Sequence, residues 1–225
     1  MHATSAGPGG RSFFGDERDA AAVRGRFITF EGIDGAGKTT IIHRIGLELK
    51  KRGHRVVITT EPTRTWLGDA VKKSYDDDVG PLAETFLFLA DRARHTTQIR
   101  ESLARGATVI CDRYADSTYA YQGARLRGVV DEPIRWLRSV SAPAVLAPDL
   151  TILIDVPPRV GLRRIAGRKR KIRFEREAFL TLVAENYREL ARSRRFARID
   201  GSRSAEEVAR DALEIIDRRL GRRGH

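Results

Sequence analysis

Short apolar runs rich in β-branched residues recur along the chain and alternate with longer stretches of helical periodicity. Such runs are typical of strands buried on both faces, and their alternation with helical patterns predicts a parallel sheet covered by helices on both sides. We therefore expect a three-layer α/β fold built on a five-stranded parallel sheet flanked by helices. The predicted strands are 26–30, 55–59, 108–111, 150–155 and 196–200.

Helical spacing is clearest directly after the first apolar run. A helix is predicted over 38–51 because its apolar residues fall on one face, and Gly53 ends it. A Ser-x-x-Glu pattern from Ser204 to Glu207 is a capping box, which predicts the start of the last helix. The other predicted helices cover 82–105, a short stretch after Pro133, 159–166, 175–195 and 204–220.

Length and composition indicate a single domain. The 225 residues suit one α/β domain, expected over 25–220 with a basic lid at about 159–174. Residues 1–24, rich in Gly, Ala, Ser and charge, are expected to form a disordered tail, and 221–225 a short C-terminal tail. No run approaches the roughly 20 apolar residues of a membrane span. The one cysteine, Cys111, lies in an apolar run that predicts a buried thiol. We expect a cytoplasmic protein with no membrane partner.

The segment between the first predicted strand and helix matches the phosphate-binding pattern G-x-x-x-x-G-K-[ST] at every position. Glycines let backbone N–H groups converge on a phosphate, the helix N-terminus adds a favourable dipole, and Lys38 places a charge between the β- and γ-phosphates. Thr39 is expected to bind Mg²⁺ together with Asp112, the acid that ends the third run. The predicted ATP-binding residues are Gly32, Ile33, Asp34, Gly35, Ala36, Gly37, Lys38, Thr39 and Thr40.

Four further segments share the order and spacing of one known family. They read E-P-T-R from Glu61, L-F-L-A-D-R-A-R-H from Leu87, D-R-Y-A-D-S-T-Y-A-Y-Q-G from Asp112 and P-D-L from Pro148. Behind a P-loop, this set resembles the thymidylate kinase family of nucleoside monophosphate kinases over about residues 26–200. The resemblance implies a P-loop NTPase fold, transfer of the γ-phosphoryl group of Mg-ATP to dTMP, and a homodimer.

The resemblance also implies roles for single residues of an acceptor site. Phe88 matches a ring that stacks on thymine, and Arg92, one helical turn further on the same face, matches a donor to the base carbonyl. Arg113 matches the arginine on the acceptor phosphate. Asp34 resembles the residue that holds the sugar 3′-hydroxyl or the metal region, and Tyr121 resembles an aromatic beside the sugar 2′ carbon. The other expected acceptor-site residues are Glu61, Arg64, Ser117, Thr118 and Gln122.

The chain departs from the family pattern at two positions. Thr60 stands where many bacterial members carry arginine, which makes Arg64 a second candidate for the acceptor phosphate. Gly35 stands where other members carry an arginine inside the P-loop, and in members without that arginine the lid supplies the transition-state cation. In this chain we expect that cation from Arg164 and Arg168.

Two other functions fit parts of the sequence. Glu61, followed by Trp66, also resembles the segment of deoxynucleoside kinases in which a glutamate deprotonates the 5′-hydroxyl. A phosphate acceptor needs no such base, because it is already ionised near neutral pH. The net charge of +12 leaves open a P-loop ATPase that binds nucleic acid, or a P-loop regulatory module. No groove-reading motif supports a specific nucleic-acid partner, and none is expected.

Overall fold

The computed structural model describes residues 25–165 and 177–221, and these contain one parallel sheet. Its strands are β1 Arg26–Glu31, β2 Val56–Thr60, β3 Thr108–Asp112, β4 Leu150–Asp155 and β5 Phe196–Asp200. Each agrees with a predicted strand to within one residue at either end. The spatial order is β2-β3-β1-β4-β5, and every neighbouring pair is parallel. The predicted α/β fold is confirmed.

Helices connect the strands and cover the sheet. The α-helices of the described residues are α1 Lys38–Lys51, α2 Trp66–Lys73, α3 Pro81–Ala104, α4 Ala115–Arg125, α5 Pro133–Ser141, α6 Pro158–Ile165, α7 Glu177–Leu190 and α8 Ala205–Leu220. A 3-10 turn, Ala142–Ala144, follows α5. The capping box of Ser204 and Glu207 is present at the start of α8, as predicted.

The helix prediction fails in three places, each with a physical reason. The helix predicted over 175–195 is too long, because the chain turns at 191–195 before it enters β5. Helix α2 is not predicted, because its eight residues are too few to show a clear periodicity. Helix α4 is also not predicted. It is buried around nearly its whole circumference, so it lacks the amphipathic stripe from which a helix is recognised.

Several predicted segments fall outside the described residues. These are the tail 1–24, the part of the lid after residue 165, and 222–225 at the C-terminus. Helix α6 is the first part of the predicted lid. No helix of the described residues is both long and apolar enough to cross a membrane.

The strand order determines where ligands bind. The chain passes from β1 to β2 at one edge of the sheet and then returns past β1 to β5 at the other edge. Because each crossover is right-handed, α1 lies on the opposite face of the sheet from α3, α4 and α7. Consistently, α1 packs against α8, whereas α4 packs against α3 and α7. The order reverses at β1, and such a switch point opens a crevice at the carboxyl ends of the strands. Glu31 ends β1 and Asp112 ends β3 at this edge.

The buried end of β3 and an ion pair fix the start of α4 at this crevice. Cys111 is buried, as predicted, and its thiol donates to the carbonyl oxygen of Arg113 at 2.9 Å. Arg195, just before β5, donates from its two terminal nitrogens to Asp116 at 2.7 and 2.8 Å. The Asp116 side chain is only 1% exposed. This ion pair therefore links the first turn of α4 to the residue just before the edge strand β5.

Replacing Arg195 by alanine should lower the free energy of unfolding by about 3–5 kcal/mol, because it leaves the buried Asp116 carboxylate without its cation. As a control, Arg192→Ala removes an ion pair with Glu189 whose side chains are 78% and 58% exposed. That loss should stay below about 1 kcal/mol. Urea unfolding followed by circular dichroism measures both, and equal losses would contradict the importance of burial.

Candidate active site

The P-loop connects β1 to α1 and closes around its own lysine. Gly37, the residue before α1, has a φ of 92°, which glycine adopts without steric cost. The Lys38 ammonium group donates to the carbonyl oxygens of Gly32 and Ile33, both at 3.0 Å. Burial, and then the charge of Arg113, lower the pKa of Lys38 to about 8. A polyanionic ligand would counter that shift, so the loop favours a polyphosphate.

Gly35 lies directly against the helix that follows β4. A Cβ atom at Gly35, where φ is 78°, would collide with the backbone of Gly161 in α6. A Cβ atom at Gly161 would in turn collide with the carbonyl oxygen of Asp34. The two glycines allow the backbones of the P-loop and α6 to touch. This contact gives a physical reason for glycine, rather than arginine, at position 35.

A hydroxyl group and a carboxylate meet beside the P-loop. Thr39 Oγ1 donates to Asp112 Oδ2 at 2.6 Å, on the exposed side of α1. Oxygen groups of this kind are what Mg²⁺ takes from a protein, with phosphate oxygens and water as its other ligands. The structure thus brings the two predicted metal-binding residues together, and their chemistry fits magnesium.

Arg113 lies at the centre of the site with Asp34 and Tyr121. Its Nη2 donates to Asp34 Oδ1 at 2.6 Å, and its Nη1 donates to the carbonyl oxygen of Gly32 at 3.0 Å. The Tyr121 hydroxyl donates to the other Asp34 oxygen at 2.9 Å. Burial alone would raise the pKa of Asp34, but the charges of Arg113 and Lys38 hold it below its usual value. An anionic Asp34 therefore anchors the guanidinium.

A second buried guanidinium group lies further into the site. Arg92, which is 1% exposed, donates from Nε and Nη2 to Glu61 Oε2 at 3.0 and 2.7 Å. Its Nη2 also donates to Thr118 Oγ1 at 2.7 Å, and His95 Nδ1 lies 3.0 Å from the other Glu61 oxygen. The remaining nitrogen, Arg92 Nη1, is buried and has no hydrogen-bond partner among the described residues. A buried donor without an acceptor costs about 1–3 kcal/mol, so an acceptor from a ligand or a water molecule would stabilise this group.

Phe88, Gln122 and Ser117 complete the predicted acceptor site. The ring of Phe88 is partly exposed, and its centre lies 6.4 Å from that of Tyr75. Gln122 is buried and donates from Nε2 to Glu84 at 3.3 Å. Ser117 is also buried, on the same helix as Gln122.

These groups line one cleft of about 330 Å³. The predicted residues that line it are Asp34, Gly35, Gly37, Lys38, Thr39, Thr40, Glu61, Phe88, Arg92, Asp112, Arg113, Ser117, Thr118, Tyr121 and Gln122. Gly32, Ile33 and Ala36 are buried within the P-loop itself. The structure thus places the predicted nucleotide and acceptor groups in one shared space.

Of the other three predicted residues, two do not line this cleft and one lies outside the described residues. Arg64 is exposed and faces a neighbouring hollow. Arg164 donates to the carbonyl oxygen of Gly201 at 3.0 Å and to that of Gly35 at 3.4 Å, so its guanidinium lies against the P-loop backbone. Arg168 lies outside the described residues.

The sequence prediction of site residues omits Thr60, Pro62, Tyr75 and Tyr114, which line the cleft, and Glu31 and Tyr187, which lie behind it. Tyr75, just after α2, lines the cleft beside Phe88. Glu31 and Tyr187 both contact Ser117 from behind the cleft. A charged residue that closes a buried strand before a P-loop is a signal that could have identified Glu31. Tyr187 lies 70 residues from Ser117, and no local pattern connects them.

A P-loop that shares a cleft with one buried and one partly buried arginine is typical of P-loop kinases, which bind a nucleoside triphosphate beside an acceptor. The chain belongs to the thymidylate kinase family, whose model matches residues 30–212. A probable thymidylate kinase of Methanococcoides burtonii is 42% identical over 197 residues, covering 86% of this chain and 97% of that protein. A probable thymidylate kinase of Natronomonas pharaonis is 44% identical over 199 residues, covering 87% and 99%. A thymidylate kinase of Desulfovibrio desulfuricans is 43% identical over 214 residues, covering 88% and 98%. The resemblance seen in the sequence is confirmed.

Replacing Gly161 by alanine should weaken ATP binding about tenfold, because the added methyl group pushes the Asp34 carbonyl and the P-loop away from α6. Isothermal titration with Mg-ATP measures the effect. Leu162→Ala is the control, since it removes side-chain contacts from the same helix without changing the contact with the P-loop. An unchanged Kd for ATP in Gly161→Ala would contradict the importance of that contact.

Proposed function

We propose that the protein transfers the γ-phosphoryl group of Mg-ATP to dTMP, giving dTDP and ADP in a cytoplasmic step towards dTTP. The observation that carries this proposal is the unpartnered Nη1 of Arg92 in the acceptor part of the cleft. The carbonyl group of thymine offers the missing acceptor, whereas the amino group of cytosine would place a second donor there. Membership of the family and the names of the relatives agree with this acceptor.

The groups around Arg92 suit the rest of a thymine base. Phe88 presents a partly exposed ring on the same helix face, which suits stacking on a planar base. Thr118 and Gln122 supply polar groups on the facing helix α4. Glu61 neutralises the Arg92 charge, so the remaining N–H acts as a directional donor and not as a site for an anion.

The sugar and phosphate of dTMP would lie nearer the P-loop. We assign the 3′-hydroxyl to Asp34 and the space beside the 2′ carbon to Tyr121, whose bulk would disfavour a ribose hydroxyl there. Arg113 suits the acceptor phosphate, because a fork of N–H donors matches the geometry of phosphate oxygens. Arg64, on the neighbouring hollow, would add positive charge along the approach to this phosphate.

The transfer itself requires alignment and charge neutralisation, and no general base. The acceptor oxygen belongs to a phosphate whose second pKa is about 6, so it is ionised near neutral pH. We assign Lys38 and Arg113 to the place where the two phosphates would meet, because both donate to the carbonyl oxygen of Gly32 at 3.0 Å. Thr39 and Asp112 would hold Mg²⁺, which neutralises charge on the β- and γ-phosphates when bound. Arg164, already against the P-loop, and Arg168 are proposed to supply the transition-state cation.

The surroundings of Glu61 argue against a deoxynucleoside kinase. One carboxylate oxygen accepts twice from Arg92 and the other contacts His95, and Glu61 as a whole is 4% exposed. A base for a 5′-hydroxyl must have an accessible oxygen within hydrogen-bond reach of that hydroxyl. The nucleic-acid-binding ATPase is likewise not favoured, because it leaves the acceptor part of the cleft without a role.

We also propose that the protein forms a homodimer through α3. One exposed stripe of this 24-residue helix carries no charge and consists of Leu82, Phe86, Ala90, Ala93 and Thr97. Phe86 is 53% exposed, and its ring centre lies 6.2 Å from that of Trp136 in α5. Small and apolar residues at this spacing suit close contact with the same helix of a second copy.

The direct test is an ATP-coupled assay with dTMP, dUMP, dCMP, dAMP and dGMP supplied separately, with and without Mg²⁺. We expect turnover of dTMP only with the metal present, and kcat/KM for dTMP about 10²-fold or more above that for dCMP. Phosphorylation of another monophosphate in preference to dTMP would overturn the proposed acceptor.

Arg92→Lys should raise KM for dTMP about tenfold and remove most of the discrimination against dCMP, because lysine keeps the charge beside Glu61 but loses the directed Nη1–H. KM for ATP should stay unchanged. The control is Arg138→Lys, an exposed arginine over the ring of Tyr119. If Arg92→Lys kept the wild-type preference for dTMP over dCMP, Arg92 would not read the base.

Phe86→Glu should convert the dimer to a monomer, because it places a charge in the uncharged stripe of α3. Light scattering coupled to size exclusion measures the mass. Leu47→Glu, at a position of α1 that is 49% exposed, is the control and should leave the mass unchanged. A dimer that survives Phe86→Glu would place the interface elsewhere.

A further inference from the structure

Behind Arg113 lies a buried cluster of the Ser117 and Tyr187 hydroxyl groups and Glu31, of which only Ser117 lines the cleft. Arg113 Nη1 lies 3.2 Å from Ser117 Oγ and 3.4 Å from the Tyr187 hydroxyl. Both hydroxyl groups contact the same oxygen of Glu31, Oε2, at 2.6 and 3.0 Å, and each other at 2.8 Å. Glu31 is fully buried at the end of β1. The cluster therefore joins β1, α4 and α7 behind one guanidinium group.

The direction of the hydrogen bonds in this cluster depends on the charge of Glu31. A hydroxyl group has one hydrogen, so it accepts from Arg113 only while that hydrogen points elsewhere. An ionised carboxylate accepts and never donates, so Glu31 Oε2 draws the hydrogens of Ser117 and Tyr187 away from Arg113. The other oxygen, Oε1, accepts from the backbone N–H of Tyr114 at 2.9 Å and so fixes the carboxylate at the start of α4.

Arg113 needs such support because its backbone is strained. Its φ is 68°, in the left-handed region that residues other than glycine seldom adopt. A residue in that conformation keeps it only where surrounding contacts determine it. The backbone N–H of Arg113 donates to the carbonyl oxygen of Phe30, one residue before Glu31, at 3.0 Å. The end of β1 thus supports both the backbone and the side chain of Arg113.

We propose that Glu31 is a positioning residue for phosphoryl transfer: through Ser117 and Tyr187 it holds the Arg113 guanidinium at the acceptor phosphate. This inference rests on the proposed function, in which Arg113 binds that phosphate. Glu31 touches neither substrate, so its effect should appear as poorer binding of the acceptor and not of ATP.

An amide at position 31 disrupts the cluster in either of its two orientations. With its nitrogen at the Oε2 position, glutamine donates to Ser117 and Tyr187. One hydroxyl hydrogen can then bond the other hydroxyl, but the second is left to turn towards Arg113. With its nitrogen at the Oε1 position, it faces the backbone N–H of Tyr114, and two donors oppose each other. Aspartate keeps an acceptor-only group and should preserve part of the arrangement.

The test measures KM for dTMP, KM for ATP and kcat at a pH well above 7. We expect Glu31→Gln to raise KM for dTMP about tenfold, the usual effect of one lost hydrogen bond to a charged group, with KM for ATP unchanged. Tyr187→Phe should show a smaller change in the same direction, and Glu31→Asp should recover part of the loss. The control is Tyr119→Phe, which removes another buried hydroxyl, bonded to Ser141 at 2.9 Å.

Charged groups surround Glu31 on several sides. Their effect on its pKa makes a second measurement possible, the pH dependence of KM for dTMP. Asp116, Arg113, Lys38 and Arg195 all act on it. Burial and then the Asp116 charge raise the pKa of Glu31 to about 7. Because protonation below that pH turns the acceptor-only carboxylate into a group that also donates, KM for dTMP should rise as the pH falls through 7. The phosphate of dTMP titrates at about pH 6 in every variant. The change in KM for dTMP near pH 7 should be missing in Glu31→Gln.

Equal rises of KM for dTMP and for ATP in Glu31→Gln would overturn the inference, as would wild-type kinetics in Glu31→Gln. If Glu31→Gln fails to fold, Tyr187→Phe decides the question, and a wild-type KM for dTMP in that variant contradicts the inference. Failure of the wild-type protein to phosphorylate dTMP would instead overturn the proposed function. The two failures are therefore distinguishable.

Discussion

Arg113 joins the two ends of the cleft. Its guanidinium contacts the P-loop through Gly32 and Asp34, and it contacts α4 and α7 through Ser117 and Tyr187. A buried cation is costly unless it is paired and hydrogen-bonded, so these contacts have to exist in the folded protein before any ligand binds. One charged side chain thereby links the P-loop to α4 and α7.

The two ends of the cleft use their arginines in different ways. Near the P-loop, burial and then the charge of Arg113 lower the pKa of Lys38, although the Asp112, Asp34 and Glu31 carboxylates oppose the shift. Phosphate groups would oppose the shift further. At the other end, Arg92 pairs with Glu61, and its Nη1 group has no hydrogen-bond partner among the described residues. In the proposed function, charge would select the phosphates and the Nη1 donors of Arg92 would select the base.

The sequence predicts the framework of this site well. Strands buried on both faces appear as short apolar runs, and all five were placed to within one residue at either end. The P-loop pattern and the family motifs also identify most of the residues that line the cleft, because these residues lie at the ends of predicted strands or one turn apart on a helix. Phe88 and Arg92 are an example of the second kind.

What the sequence misses depends on tertiary contacts. Helix α4 shows no stripe because it is surrounded, and Tyr187 reaches Ser117 only through the contact between α7 and α4. The side chains of Arg64 and Arg164 point to a neighbouring hollow and to backbone carbonyls, and no pattern of charges in the sequence determines such directions. Long basic side chains have many rotamers, and their final contacts are decided by the loops around them.

The central claim is that a phosphate, and not a hydroxyl group, receives the phosphoryl group. Phosphorus NMR of the protein with Mg-ATP, given thymidine in one sample and dTMP in another, tests it most directly. The account predicts the two phosphorus signals of dTDP in the dTMP sample and no new phosphate ester from thymidine. Conversion of thymidine to dTMP, with dTMP itself left unchanged, would contradict it.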